Sequence, residues 1–417
     1  MSETAETAER PVAFDPLEDG FIDSPYEQYA RLRRTDPVHW SELLHGWVLT
    51  RYEDASTILR DPTISSDIDQ AAPSPMVDAE KARREESVAG GRTLVLLDDP
   101  DHARLRKLIM KPFRPREVNE LRDSIAGRVA RALDRLLAEH GSRAQFDLIA
   151  DFAYPFPVEV FCEMLGIPDE DHPQFRYWTQ CVARGLDPVM TEAEREECMA
   201  GIIDMYAYLE EQVAEKRSHP TDDIMSGLVH AEEDGDTLTH DELLAQLLTL
   251  YVAGHEPTAG LVGNGLLALL RQPDQFERLR REPELRRNAL SELLRFDGPN
   301  QFVRRITTRP MSIDGREIAA GDIVYVGVGA ANRDPERWGD TVDQVVVDRA
   351  DANQHLQFGA GIHACLGSHL ARLQAELAFD AVLERLDDLQ LNGDPEWSTR
   401  MVIRGLNHLP VSATITV

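Results

Sequence analysis

The sequence predicts a mainly α-helical protein with small β-sheets, built as one domain over residues 11–417 behind a flexible tail of residues 1–10. Three observations carry this. Helical apolar periods recur along the chain, whereas the β-rich runs are short. One stretch, from Thr239 to about Leu270, is long for a globular helix. It is apolar on nearly all sides between Leu243 and Val252, so it belongs inside the core. No Ser/Gly-rich linker and no repeat of fixed period divides the chain.

Taken in order, Pro25–Arg34 reads as a short helix. Val38-His39-Trp40 and Trp47-Val48-Leu49 flank Gly46 as a hairpin, and Tyr52–Leu59 is helical again. From Asp61 to Leu97 no period is sustained, because Pro73, Pro75, Gly90 and Gly91 interrupt it. A long irregular segment in a compact protein suits a lid or binding loop. Asp98 or Asp99 caps the next helix, with Pro100 in its first turn. Helical periods continue through Val118–Glu139, Phe152–Leu165, Gln174–Arg184 and Glu192–Arg217. They break at Pro168, Pro173 and Gly185–Pro188. Thr239 and Glu242 form a capping box for the long helix. Another helix carries Glu292 and Arg295. After Pro299 come β-like runs at Gln301–Arg305, Met311–Ile313 and Ile323–Val328. An amphipathic helix follows over Ser368–Arg385, and Met401–Pro410 is β-like with a turn at Gly405.

Composition narrows the function. Of 417 residues, 42% are hydrophobic, enough for a sizeable core. Against 44 basic side chains stand 74 acidic ones, a net charge of −30. That argues against nucleic acid and anionic membranes as partners. Met1–Arg10 lacks the apolar core of a signal peptide. The most apolar helical stretch, Leu243–Gly254, is too short to span a bilayer. Cys162, Cys181, Cys198 and Cys365 show no close pairing and read as reduced thiols. A cytoplasmic monomer is expected.

Two stretches carry chemistry. Gly359 and Gly361 allow a tight turn before Cys365, where a helix begins. Unpaired N–H groups and the helix dipole there favour an ionised thiol. No other cysteine lies near enough in sequence to share a metal, and a lone cradled thiolate is what an axial haem ligand needs. In the long helix, Pro257 deletes a backbone hydrogen bond to the Ala253 carbonyl, so a kink or opening is expected there. Glu256 beside it is a buried acid and a natural proton carrier. The run from His102 to Arg116 reverses the local charge. It reads first as a solvated basic face, and otherwise as a site for haem propionates or an acidic electron donor.

Phe358, Gly359, Gly361, His363, Cys365 and Gly367 together resemble the haem-binding signature of the cytochrome P-450 family. The similarity runs from about Phe14 to Val417. It implies the family's triangular prism, with haem b between the long central helix and the helix after the cysteine loop. It makes Cys365 the axial thiolate, and Phe358, Gly359, His363 and Gly367 parts of the haem cradle. Asp99–Arg106 resembles the family's propionate helix, which points His102 and Arg106 at the haem; Arg305 holds a similar place. Arg104, Lys107, Lys111 and Arg114 are then left for a ferredoxin, fed by an external NAD(P)H-dependent reductase. Ala253–Thr258 resembles the oxygen-activation motif, with Glu256 on the acid. Pro257 replaces the first threonine, and only Thr258 remains. Glu292 and Arg295 resemble the family's Glu-x-x-Arg pair; its third partner is expected at Gln344 or Arg337. Leu247, Val252, Ala253, Asn300 and Val402 are the expected substrate contacts.

The expected function is activation of O2 to hydroxylate, couple or cyclise a small-molecule substrate, with a medium or large natural-product scaffold expected. Without the first threonine's hydroxyl, coupling of substrate radicals gains weight. A haem-thiolate gas or redox sensor and a haem-free binding protein are the other classes.

Overall fold

The computed structural model describes residues 13–86, 93–187, 189–233 and 235–416. The expected tail, residues 1–10, and the interruptions at Gly90 and Gly91 lie outside them. The central helix His240–Leu270 organises the rest. Thr239 caps it: its hydroxyl accepts the Glu242 N–H, and the Glu242 side chain accepts the Thr239 N–H. The helix buries nearly every side chain from Leu243 to Leu248 and from Thr258 to Leu269. It packs against Pro155–Leu165, Arg286–Asp297 and the cysteine-following helix Ser368–Arg385. The helix pair His172–Gly185 and Glu192–Ser218 lies against it too. No helix among the described residues is long and apolar enough to cross a membrane.

The β-structure is peripheral. A four-stranded sheet runs in the order Val38–Ser41, Gly46–Leu49, Ile323–Gly327, Phe302–Ile306. Its second and third strands pair in parallel and the outer pairs are antiparallel. The last strand delivers Arg305 toward the cysteine loop. A three-stranded sheet joins Arg143–Asp147 to the C-terminal strands Leu386–Leu391 and Pro410–Ile415.

Three expectations are corrected. The segment from Asp61 to Leu97 contains a helix, Pro75–Glu86. Pro75 starts that helix, because a first-turn residue needs no N–H partner. The central helix is not opened at Pro257; it runs unbroken from His240 to Leu270. Packing of the flanking turns, Leu243–Leu248 and Thr258–Leu269, outweighs the single hydrogen bond lost at the Ala253 carbonyl. Within the stretch Met401–Pro410 the strand begins only at Leu406, and a single bridge, Ile403 to Asn300, precedes it there.

Candidate active site

The cysteine loop is shaped by two left-handed glycines. Gly359 has φ +64° and Gly361 φ +68°, and a Cβ on Gly361 would meet the Leu59 carbonyl oxygen at 2.6 Å. The Cys365 N–H closes the loop on the Phe358 carbonyl at 2.8 Å. Arg372 stacks over the Phe358 ring and donates to Ser291 Oγ, tying the loop to the helix of Glu292. Cys365 is exposed, yet burial is the first cause acting on its thiol. Both hold because its side chain opens onto a slot inside the protein and not onto bulk water.

That burial corrects the expectation of a readily ionised thiol. It pushes the thiol up, while the Gly367 N–H and the Arg106 guanidinium pull it down. The helix starts only at Ser368, so its first turn lies too far on to outweigh desolvation.

The opposite wall is one stripe of the central helix. Thr249, Leu250, Ala253, Gly254 and Pro257 are accessible, whereas Tyr251, Val252, His255, Glu256 and Thr258 are buried. The accessible set recurs at helical spacing and faces one way. Thr258 is not part of it. Its hydroxyl donates to the Gly254 carbonyl at 3.3 Å, within the helix.

Glu256 also points elsewhere. Its carboxylate accepts from Tyr154 Oη at 2.5 Å and from Arg400 Nη1 at 2.6 Å, and His255 Nε2 stands 3.7 Å away. Burial pushes the carboxyl up, but the Arg400 charge, His255 and Tyr154 together hold it down at about 2. The expected proton carrier is therefore an ion-paired carboxylate. Neither Tyr154 nor Arg400 was legible in the sequence, since neither stands at a helical spacing from Glu256.

Beside the cysteine loop, four basic groups converge. The His102 and His363 rings lie 4.5 Å apart. Arg305 and Arg106 both act on His363, and burial with their charges pushes it down to about 3. Arg106 donates to the Ala364 carbonyl at 2.9 Å. Arg305 donates to the Arg304 carbonyl, and burial lowers it to about 10, still charged at neutral pH. Neither arginine forms an ion pair among the described residues. His102 is 2% exposed, and both its ring nitrogens lack a hydrogen-bond partner; Asp99 lies 3.4 Å from Nδ1 without hydrogen-bond alignment. Ser66 Oγ, unforeseen in the sequence, contacts His363 Nε2 at 3.0 Å. A cavity of about 270 Å³ opens alongside, lined by Arg60, Asp61, Arg305 and His363 among others. One buried and one half-buried guanidinium outside any ion pair among the described residues, and an imidazole without a hydrogen-bond partner, are the complement of a dianionic ligand. With Cys365 two residues beyond His363 on the same loop, these residues fit haem and its two propionates.

Other expected residues are placed differently. Leu247 is fully buried in the main core. The Asn300 amide is engaged, donating to the Gln357 carbonyl at 3.1 Å. Val252 and Val402 share a small apolar cluster with Ala183 and Ile403, beside the accessible Ala253. Arg104 is bound to Glu242 and Asp236, while Lys107, Lys111 and Arg114 are exposed.

Glu292 and Arg295 form a bidentate pair at 2.8 and 2.9 Å, both fully buried. Their third partner is Arg349, which donates to Glu292 Oε2 at 3.0 Å. Gln344 offers only its carbonyl to Arg295, and Arg337 pairs with Asp351. The meander has no periodic structure, so counting along it missed the arginine by five positions.

A cysteine loop turned by two left-handed glycines, beside basic groups outside any ion pair among the described residues, fits a haem-thiolate protein. The match to the family model named Cytochrome P450 spans residues 48–399. The chain is 39% identical over 410 residues to Cytochrome P450 107B1 of Saccharopolyspora erythraea, covering 96% of this chain and 97% of that one. It is 38% identical over 414 residues to Cytochrome P450 monooxygenase PikC of Streptomyces venezuelae, covering 97% and 95%. The solved cytochrome P450 PksS of the Bacillus subtilis 168 bacillaene polyketide synthase superposes with a TM-score of 0.86 at 34% identity, covering 97% of this chain and 100% of that one. The protein belongs to the cytochrome P450 family. As such it is a haem-thiolate monooxygenase-family enzyme that uses O2 on a small molecule.

Proposed function

We propose that this protein oxidises a medium or large natural-product scaffold, with Cys365 as the haem ligand. The observation that carries the reading is the convergence of His102, Arg106, Arg305 and His363 beside the Cys365 loop, with neither arginine in an ion pair among the described residues. Bound haem would supply O2 activation, and a thiolate ligand favours O–O cleavage. Arg106 and Arg305 would pair with the propionates, and His102 and His363 would hydrogen-bond to them. Phe358 shields the thiolate side, and Gly359 and Gly361 set the turn that presents it. Ala253, Val252 and Val402 give the substrate an apolar seat next to the iron. Lys107, Lys111 and Arg114 form the docking patch for an acidic ferredoxin, which an NAD(P)H-dependent reductase recharges. Relatives point the same way: one is named Polyketide biosynthesis cytochrome P450 PksS and another Mycinamicin IV hydroxylase/epoxidase.

Proton delivery differs from a hydroxyl relay. Position 257 lies on the accessible stripe of the central helix and carries neither hydroxyl nor N–H, and the Thr258 hydroxyl donates to the Gly254 carbonyl within the helix. This favours a second outcome, coupling or ring closure of the oxidised substrate without oxygen insertion. A structural relative, CxnD, is described as forming a C–S bond.

The test is the reduced, carbon-monoxide-bound spectrum of the haem-loaded protein. Wild type gives a strongly red-shifted Soret band, and Cys365→Ser loses it. The same band in Cys365→Ser would reject the assignment.

A further inference from the structure

Cys181 and Cys198 stand 17 positions apart in sequence, but the fold brings their thiols into contact. Cys181 lies on the helix His172–Gly185 and Cys198 on Glu192–Ser218, which pack side by side. The close approach depends on Gly201. It follows Cys198 by three positions, so the two share one face of their helix. A Cβ on Gly201 would lie 2.6 Å from Cys181 Sγ, so any side chain there would displace the sulfur. The Cys198 thiol donates to Cys181, and Tyr177 Oη donates to Cys181 as well. Tyr177 stands one turn before Cys181 and is 39% exposed, whereas Cys181 and Cys198 are 5% and 7% exposed. The pair therefore lies just beneath a surface side chain. Burial pushes both thiols up, Cys198 to about 11, but the two donors favour charge on Cys181. The other cysteines have different surroundings. Cys162 is fully buried, with Tyr251 Oη 3.0 Å from its sulfur, and Cys365 belongs to the haem loop.

We propose that Cys181 and Cys198 are a modification site, at which hydrogen peroxide converts the two thiols to a disulfide that staples the two helices together. Cys181 attacks one peroxide oxygen as the thiolate. The O–O bond breaks, hydroxide leaves and is protonated to water, and Cys181 becomes a sulfenic acid. Cys198 then attacks the Cys181 sulfur. The S–S bond forms, the S–O bond breaks, and the departing hydroxide takes the Cys198 proton to become water. Two thiols thus lose two electrons and two protons, and one peroxide becomes two waters. Protonated thiols are poor nucleophiles, so the step is slow and answers sustained peroxide, not a brief pulse. The bridge closes a loop over the 16 residues between the cysteines. That loop includes Ala183, which clusters with Val252 of the central helix. The proposal stands apart from the haem reading, since no residue of the haem cradle takes part.

Peptide mapping of the oxidised holoprotein tests this. Imidazole is placed on the ferric iron to keep peroxide from it. The protein is treated with hydrogen peroxide, blocked with N-ethylmaleimide under denaturing conditions, and mapped by mass spectrometry without reductant. The expected product is a peptide pair joined through Cys181 and Cys198, lighter by two hydrogens and separated again by dithiothreitol. Two maleimide sites should be lost, while Cys162 keeps its own. Cys198→Ser should give no joined pair and should leave Cys181 as a sulfenic acid, which dimedone traps. The bridged protein should melt about 3 °C higher, the loop-closure gain set against the unfolding entropy of a chain this long, and dithiothreitol should cancel the rise. Full maleimide blocking of Cys181 and Cys198 after peroxide would overturn the proposal. So would a bridge through Cys162 or Cys365, or sulfonic acid at Cys181 without a bridge. A bridge that leaves the melting temperature unchanged or lowers it would overturn the staple. The carbon-monoxide spectrum, read on the same samples, keeps the haem assignment separate from these outcomes.

Discussion

Removing the Arg400 cation while leaving Glu256 in place strikes the best-determined charge in the site. Arg400→Met keeps most of the side-chain volume and deletes the guanidinium bonded to Glu256 Oε2 at 2.6 Å. Glu256 is then a buried carboxylate with Tyr154 Oη as its remaining strong donor. Breaking a buried pair from one side costs about 3–5 kcal/mol, because the partner charge stays desolvated. For 417 residues the unfolding entropy is about 0.9 kcal/mol per kelvin, so Tm should fall by about 3–6 °C at pH 7. The sign with pH follows from the carboxyl, lowered from 4.5 to about 2. A depressed carboxyl stabilises the fold above its unfolded value, here by about 3 kcal/mol. That contribution is lost as pH falls from about 4.5 through about 2. The deficit of Arg400→Met is therefore largest at neutral pH and shrinks as the medium acidifies. The double variant Arg400→Met/Glu256→Gln removes the orphaned charge and should recover at least half of the lost Tm. Calorimetry of the four proteins closes the cycle. A double variant no more stable than Arg400→Met would refute the reasoning, since the cost would then lie in packing.

Arg349→Ala should destabilise the fold by about 2–4 kcal/mol, because the buried Glu292 loses one of its two arginines; Arg337→Ala should cost under about 1 kcal/mol, its ion pair with Asp351 being partly exposed. Urea titration separates the two. Pro257→Thr places a hydroxyl on the accessible stripe and should raise the share of oxygenated product or of electrons recovered in product; equal values in both proteins would remove Pro257 from the account of proton delivery. Charge reversal at Lys111 and Arg114 should slow reduction by a ferredoxin at least tenfold at low ionic strength, with the difference fading above about 0.5 M salt. Stopped-flow reduction under carbon monoxide reads that rate.

Local patterns carried much of the architecture. Capping at Thr239, the helical periods and the glycine pair before Cys365 each depend on residues a few positions apart, and each is visible in the sequence. The long-range partners are not. Arg349 reaches Glu292 from a meander without period, so neither spacing nor amphipathicity marks it. Arg400 and Tyr154 meet Glu256 from positions 144 and 102 residues away. The direction of the Cys365 thiol is not legible in the sequence for a related reason. The nearby helix start is a local feature, while desolvation depends on everything folded around it. Leu247 shows the limit on the apolar side: position on the central helix is legible, but which face opens onto the slot is set by the neighbours.

The two walls of the slot are constrained to different degrees. The thiolate wall is fixed three times over: by the left-handed glycines, by the Phe358 carbonyl on the Cys365 amide, and by Arg372 tying Phe358 to the helix of Glu292. A substitution there disturbs backbone and core together. On the facing wall, only Ala253, Gly254 and Pro257 meet the slot in the turn beside the buried acid. Gly254 has no room for a side chain, since a Cβ would lie 2.0 Å from the Phe161 ring. Ala253 and Pro257 remain, one turn apart on the same face. Exchange at either leaves the capping box and the Glu256 ion pair untouched. Substitutions at positions 253 and 257 should therefore change reactivity while leaving the carbon-monoxide spectrum of the haem-loaded protein unaltered.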